Sequence, residues 1–170
     1  IFEGNGDAAL LQWNSDNPQP KYNTRSGSFD EVRLSLTLET RLKDLNDRRL
    51  IVFAQPTSNS GKGIYSDNLD DYVGMPNGLD DEAALGYSPS GNPNEVGSNF
   101  ISRIGILLAC RACNVELASP TASQTIIMDY SELQFILAEA RERNFISVGD
   151  AATYYENGIR ASFSYYLDRI

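Results

Sequence analysis

The sequence predicts a mainly α-helical protein with long irregular loops and few short strands. Three features support this class: two consecutive amphipathic segments at about 129–144 and 148–167, a third apolar stripe at about 29–45, and a loop-like stretch over 55–99. Apolar residues that recur every three to four positions are typical of helices, whereas clusters of Gly, Asn, Ser, Pro and Asp interrupt regular structure. A helical scaffold carrying a large irregular region is therefore expected.

Length and composition indicate one domain, or part of one, over residues 1–170, and we divide it into a loop-rich subdomain at 28–128 and a repeat-like helix pair at 129–167. The 170 residues are 41% hydrophobic, enough for a core, and no shift in composition marks a second domain. No run of eighteen apolar residues occurs, so the sequence predicts no membrane-spanning helix.

The charge balance narrows the class of ligand. A net charge of −9 and a pI near 4.4 argue against nucleic acid or an anionic membrane surface as partner, and they suit neutral ligands. The sequence contains no His, so it lacks the commonest general base and transition-metal ligand. Catalysis would have to depend on carboxylates, Tyr, Lys or Cys.

The first third of the chain contains one predicted helix. A short apolar patch at Ala8–Leu11 is expected to form a helical turn or a brief strand, followed by loop. Ser28 and Glu31 then form a capping box, which opens a helix to about Leu45. Its apolar face is Leu34, Leu38, Leu42 and Leu45. Residues 32–38 also alternate like a strand, but the helical period continues after the alternation has ended.

Short elements are expected to follow. The apolar run Leu50–Ala54 predicts a strand, and Asp80–Leu85 a single helical turn within the 55–99 loop. Loops of this length in compact domains are usually functional or locally ordered. Phe100–Cys110 is predicted to be extended, with a short buried helix as the alternative. The Ile126–Ile127 pair before the first helix of the C-terminal pair is also predicted to be extended.

The helix pair has the most complete signals in the sequence. Asp129 is the predicted N-cap of the first helix, with Glu132 completing a capping box, and Asn144 is expected to end it in a left-handed conformation. Ser147 or Asp150 caps the second helix. Its predicted inner stripe is Ala151, Tyr155, Gly158, Ser162 and Tyr165 or Tyr166. A glycine inside a helix costs about 1 kcal/mol, which predicts a backbone or bulky ring packed closely at Gly158.

This pair is similar to a tetratricopeptide-type repeat unit, which cannot bury its face alone. Either the rest of the chain supplies the missing surface, or neighbouring repeats lie outside this sequence.

Exposed aromatic rings beside polar side chains are the usual platform for neutral sugars. The candidates in polar, loop-like stretches are Trp13, Tyr22, Tyr65, Tyr72 and Tyr87. For any one of them, the alternative is that the ring simply anchors its loop to the core. Tyr154, Tyr155, Tyr165 and Tyr166 belong to a predicted helix and are expected to pack.

Other chemical motifs are weak. Cys110 and Cys113 form a Cys-x-x-Cys without thioredoxin-like or zinc-site context, so incidental thiols or a disulfide are expected. The acidic residues of 67–82 lack the spacing of an EF-hand, and a solvated loop is the preferred interpretation over a Ca²⁺ site. They could also supply a carboxylate pair for glycoside hydrolysis, which sequence spacing cannot establish.

Five phrases in this order resemble one family: Asn46–Leu50, Tyr72–Leu79, Ser98–Gly105, Met128–Ala140 and Gly149–Ser162. Together they are similar to the SusD/RagB family of outer-membrane lipoproteins, in its SusD-like branch. The resemblance implies a tetratricopeptide-like helical scaffold that supports a loop-rich face. It covers only the later part of the family, without the lipid-bearing Cys, the earlier helix pairs or the C-terminal tail, so the chain is expected to be the C-terminal part of a larger protein.

The resemblance also implies a function. Members are cell-surface lipoproteins of Gram-negative bacteria that capture an oligosaccharide or polysaccharide, or in some cases a peptide, with a SusC-like TonB-dependent transporter as partner. We therefore expect a non-enzymatic glycan-binding protein at the outer membrane, with no catalytic residue, no cofactor and no metal. The alternatives are a repeat-type protein-interaction scaffold, a peptide-binding member of the family and, last, a glycoside hydrolase.

Overall fold

The computed structural model describes residues 2–12, 16, 32–105 and 124–168, and the chain divides into two compact units. We call Ile1–Gln12 with Gln124–Ile170 the hairpin unit, and Trp13–Ser123 the loop unit. In chain order the elements are β1 (Ala9–Gln12), α1 (Leu36–Asp44), α2 (Leu50–Phe53), α3 (Asp81–Leu85), β2 (Gln124–Met128), α4 (Tyr130–Glu142) and α5 (Ala151–Leu167). The described part is mainly helical, which confirms the predicted class.

The hairpin unit joins a two-stranded antiparallel sheet to a pair of helices. β1 pairs with β2, and the register shifts between Ala9 and Leu10. The predicted caps are confirmed: an Asp129 carboxylate oxygen accepts the Glu132 amide at 2.6 Å, and an Asp150 carboxylate oxygen accepts the Thr153 amide at 2.8 Å. The hydrogen bonds from Thr153 lower the pKa of Asp150 below its ordinary value.

The two helices meet at Gly158, as its position in the sequence predicts. A Cβ atom there would lie 2.8 Å from the Phe135 ring, and the buried Ser131 hydroxyl donates to the Gly158 carbonyl at 2.8 Å. The predicted inner stripe is wrong at Tyr155, whose residue surface is 57% exposed. The buried residues of α5 are instead Gly158, Ala161 and Tyr165. The buried face is therefore rotated about the helix axis, by about one residue, from the predicted stripe.

Two helices end in the same way. Asn144 at the end of α4 has φ 58°, as predicted, and Asn46 after α1 has φ 49°. In each case the next residue donates its amide to a carbonyl five residues earlier, Asp47 to Leu42 and Phe145 to Ala140, both at 2.8 Å. These bonds satisfy helix-terminal carbonyls as a Schellman motif does.

The loop unit is held by short extended segments. The Leu34 amide donates to the Ser102 carbonyl at 3.0 Å, and the Met75 amide donates to the Leu34 carbonyl at 2.8 Å. The helix predicted at about 29–45 is therefore shorter: it begins at Leu36, because residues 33–35 pair with residues 75 and 103 in isolated bridges. The proposed cap at residues 28–31 lies outside the described residues.

The predicted strand at Leu50–Ala54 is wrong. Leu50–Phe53 forms the single-turn helix α2, and Ala54 alone is extended, in a bridge to Ile104. The Asp47 carbonyl accepts the Leu50 amide at 3.2 Å and so starts a helical turn. Short apolar runs fit buried strands and buried helices equally well. The helical turn predicted at residues 80–85 is confirmed by α3.

Glycine permits a close approach of two backbone segments in this core. At Gly74 a Cβ atom would lie 2.6 Å from the Leu36 Cα atom, and the Gly74 amide donates to a buried Glu39 carboxylate oxygen at 2.6 Å. The Lys43 ammonium donates to the other carboxylate oxygen at 2.7 Å. Glu39 thus ties α1 to the segment after Tyr72.

Gly74→Ala is expected to lower the free energy of unfolding by about 2–3 kcal/mol, because a methyl group would overlap backbone atoms that cannot move aside cheaply. Gly86→Ala is the matched control. Gly86 has φ −87°, and its nearest contact to an added Cβ is an ordinary 3.5 Å, so alanine there should be neutral or stabilise by up to about 1 kcal/mol. Urea denaturation measures both, and equal stabilities for the two variants would contradict the assigned contact.

The ionisation of Asp47 makes the stability of the loop unit depend on pH in the acidic range. Burial alone would raise the pKa of this carboxyl, but hydrogen bonds from the Arg49 side chain and backbone, together with the guanidinium charge, lower it overall. The ionised Asp47 carboxylate adds its full contribution to the free energy of unfolding above the unfolded-state pKa of about 4. This contribution is lost as pH falls through the lower folded-state pKa.

Asp47→Asn should therefore reduce the free energy of unfolding at pH 7, by about 1–3 kcal/mol, and the difference from the wild type should shrink below about pH 4. Denaturant titrations across pH measure the difference. A deficit that stays constant down to pH 2–3, below roughly the ordinary aspartate pKa, would show that the Arg49 pairing contributes nothing.

Candidate functional site

The loop over residues 55–97 is a built structure with its own hydrogen bonds. Asn68 accepts the Asp70 amide at 3.1 Å and Asp80 accepts the Ala83 amide at 2.8 Å, each at the start of a helical turn. A turn lies at residues 77–78, with Gly78 at φ 81°, where glycine avoids the cost of a side chain. The loop-rich face can therefore hold side chains in fixed positions.

Tyr72 is not available as a sugar platform. Its residue surface is 0% exposed, and its hydroxyl donates to the Ser66 carbonyl and accepts the Ser66 amide, both at 3.0 Å. Burial, the largest cause, raises the pKa of this phenol. The alternative interpretation, a ring that anchors its loop to the core, is correct for Tyr72.

Two of the predicted aromatic candidates are described near the surface. Tyr65 is 37% exposed, and partial burial raises its pKa; Tyr87 is half-buried. Among the described residues neither ring stacks on another aromatic ring. Trp13 and Tyr22 lie outside the described residues, as do Cys110 and Cys113. Of the predicted set, the structure therefore shows two partly exposed rings, Tyr65 and Tyr87, and one buried ring, Tyr72.

Several acidic side chains of the loop have structural partners. Asp67 pairs with Arg48, Asp71 accepts the Ser66 hydroxyl, and Asp80 caps α3. Within residues 2–12, 32–105 and 124–168, no group of three or more Cys, Asp or Glu side chains is arranged to hold a metal ion. These acidic side chains of the loop therefore form hydrogen bonds and an ion pair, and they carry surface charge.

A concave feature lies on the hairpin unit. It is a depression of about 290 Å³ lined by Gly4, Asn5, Tyr130, Asn157, Arg160, Ala161 and Ser164. Sequence reasoning did not find it, because Asn5, in the short helical turn Asn5–Asp7, and Ala161 on α5 are 156 positions apart. The one available signal was the polar spacing of Asn157, Arg160 and Ser164 along α5.

Comparison with known families identifies the chain. The sequence matches, over residues 1–169, the SusD-like family described as starch-binding and associating with the outer membrane. The chain belongs to the SusD-like family. The resemblance that the five phrases carry is thereby confirmed.

SusD-like structures share its fold. A SusD homologue from Bacteroides fragilis NCTC 9343 is 28% identical, with a TM-score of 0.63, and the match covers 98% of this chain and 32% of that one. A Bacteroides vulgatus ATCC 8482 outer membrane protein, associated with nutrient binding, is 25% identical with a TM-score of 0.68, covering 99% and 34%. A chitin-binding protein is 27% identical with a TM-score of 0.60, covering 98% and 33%. No curated protein matches the sequence.

This SusD-like chain spans about a third of the length of the solved structures it matches. Within its described residues, no helix is both long and apolar enough to cross a membrane. Family membership accounts for the helical scaffold, and the ligand must be argued from individual residues.

Tyr72→Phe tests the packing role assigned to Tyr72 in this SusD-like chain. Removal of the hydroxyl leaves the partly buried Ser66 amide and carbonyl without their partner, which should lower the free energy of unfolding by about 1–2 kcal/mol. Thermal or urea denaturation measures the loss. An unchanged stability would contradict the role of the hydroxyl as an anchor for the loop.

Proposed function

We propose that the protein is a non-enzymatic, cell-surface glycan-binding lipoprotein of the outer membrane that acts with a SusC-like TonB-dependent transporter. The observation that carries this proposal is the family match over residues 1–169, to a family described as starch-binding and associating with the outer membrane. The likeness to a chitin-binding protein supports a neutral polysaccharide as the ligand class.

The electrostatics of the chain agree with a neutral ligand. A net charge of −9 repels anionic polymers, whereas uncharged sugars are held by ring faces and hydrogen bonds. In this proposal the glycan contacts the loop-rich face through Tyr65 and Tyr87, together with Trp13 and Tyr22. Tyr72 supports that face from within the core.

The test is a titration of the protein with malto-oligosaccharides and chito-oligosaccharides by calorimetry. Tyr65→Ala and Tyr87→Ala should each weaken binding by about fivefold or more, about 1 kcal/mol, because each removes a ring face from the ligand. Tyr155→Ala is the matched control, since Tyr155 is an exposed tyrosine on α5 outside the loop unit. Binding that survives both loop substitutions unchanged would contradict the assigned face.

The same samples test the non-enzymatic assignment. Chromatography of the oligosaccharides after prolonged incubation should recover them intact. Shortened products that disappear when one loop carboxylate is replaced by its amide would instead establish a hydrolase.

A repeat-type interaction scaffold is the second candidate, and one observation favours it. The helix pair leaves an apolar surface uncovered, with Phe135, Ile136, Tyr155 and Ile159 each at least one-third exposed. Exposed apolar patches mark sites of association. A scaffold would bind no oligosaccharide in the titration above, so the same experiment separates the two functions.

A further inference from the structure

The sequence contains three Asn-Gly dipeptides, at residues 5–6, 77–78 and 157–158. An asparagine side chain can be attacked by the backbone nitrogen of the residue that follows it. Glycine offers the least steric hindrance to this attack, because it has no Cβ atom. As dipeptides the three pairs are equally reactive. Their surroundings in the folded chain differ, and these surroundings decide which pair can react.

The pair at residues 157–158 is protected by its helix. Both residues lie inside α5, where the amide of each residue donates to the carbonyl four positions earlier. The Gly158 nitrogen is therefore committed to a helical hydrogen bond. Gly158 is also buried, with the Phe135 ring close to it. Attack by this nitrogen requires the middle of α5 to open first, which costs free energy.

The pair at residues 5–6 is protected through its side chain. The Asn5 side-chain nitrogen, which would have to leave as ammonia, donates to the Ala161 carbonyl at 3.0 Å. The side-chain oxygen of Asn5 is buried. The amide group is therefore held in packed surroundings, and its reaction requires the loss of the bond to α5.

The pair at residues 77–78 has neither form of protection. Asn77 and Gly78 are both exposed and lie in a turn. Within the part of the chain that the structure describes, neither the Asn77 side chain nor the Gly78 amide has a hydrogen-bond partner. Gly78 has φ 81°, and a Cβ atom added there would meet nothing within 4 Å apart from its chain neighbours. The attacking nitrogen and its target therefore have room to approach each other.

We propose that Asn77 is a site of spontaneous deamidation in the folded protein. The Gly78 backbone nitrogen attacks the side-chain carbon Cγ of Asn77 and forms a new C–N bond. The bond from Cγ to the side-chain nitrogen breaks, and ammonia leaves with the proton of the Gly78 amide. Solvent water then opens the resulting succinimide ring at either carbonyl, breaking one C–N bond and leaving aspartate or isoaspartate at position 77. No oxidant or reductant takes part.

The modification changes charge and backbone length at one place in the loop unit. Each product adds one negative charge to a chain whose net charge is −9. Isoaspartate also lengthens the backbone by a methylene group between two anchored positions: the Met75 amide donates to the Leu34 carbonyl at 2.8 Å, and Asp80 caps α3. Because the turn is exposed and the anchors lie outside it, we expect the modified chain to keep its fold. This inference is independent of the proposed function.

Ageing of the whole folded protein in mildly alkaline buffer tests the site, with peptide mapping by mass spectrometry to locate isoaspartate. Water enriched in heavy oxygen labels the products that form during the ageing. Asn77 should react at least about tenfold faster than Asn5 and Asn157, because those two require local opening first. Urea unfolds the chain and removes the protection, so all three should then react at similar rates.

Two results would overturn the proposal. One is an Asn77 that stays intact in the folded protein while it reacts in urea, since this would show that the turn protects it. The other is a folded protein in which Asn5 or Asn157 reacts as fast as Asn77.

A pair of variants assigns the product to its residue. Asn77→Gln removes the reactive side chain, because the longer glutamine closes a ring much more slowly, so most of the acidic species that anion-exchange chromatography resolves in the aged wild type should be lost. Asn59→Gln is the matched control. Asn59 is also exposed in the loop unit, but the next amide, that of Ser60, donates to the Thr57 carbonyl at 3.1 Å. This variant should age as the wild type does, and an equal loss of acidic species in both variants would contradict the assignment to Asn77.

Discussion

The close approach of α4 and α5 at Gly158 is the constraint on which the hairpin unit depends. A side chain at that position would meet the Phe135 ring, and the Ser131 hydroxyl bonds the carbonyl of the same residue. This single contact sets the rotation of α5, and it directs Ala161 and Tyr165 towards buried positions. Asn157 and Arg160, its close neighbours along the helix, consequently line the depression. The packing of the helix pair and the depression therefore depend on the same helical turn.

The loop unit has little regular structure, yet its buried backbone N–H and C=O groups still need hydrogen-bond partners. Bonds at the base of the long loop do this: Gln55 and Thr57 donate to the carbonyls of Arg103 and Asp71, and Ser102 donates to that of Val73. Tyr72 then fills the space between these segments. The loop-rich face is supported from below, so its surface residues can vary without loss of the support.

Local signals in the sequence predicted the helix pair well, because caps and left-handed asparagines act within a few residues. Asp129, Asn144 and Asp150 all behave as expected. The failures have two physical origins. Leu50–Phe53 is a short apolar run, which fits a buried strand and a buried helical turn equally well. The start of α1 depends on pairing with residues 75 and 103, and single-sequence patterns do not report partners so far along the chain. The aromatic candidates could be named from composition, but their spatial grouping could not.

The pairing of β1 with β2 has a consequence for how the molecule assembles. All of residues 13–123 lie between the two strands, so the N-terminal segment reaches its place only after a long closure, whereas α4 and α5 are sequence neighbours and can form early. We expect the N-terminal segment to dock last and to exchange its amide hydrogens fastest of the elements in this unit. Because Asn5 belongs to that segment and lines the depression, the depression is complete only after this late event.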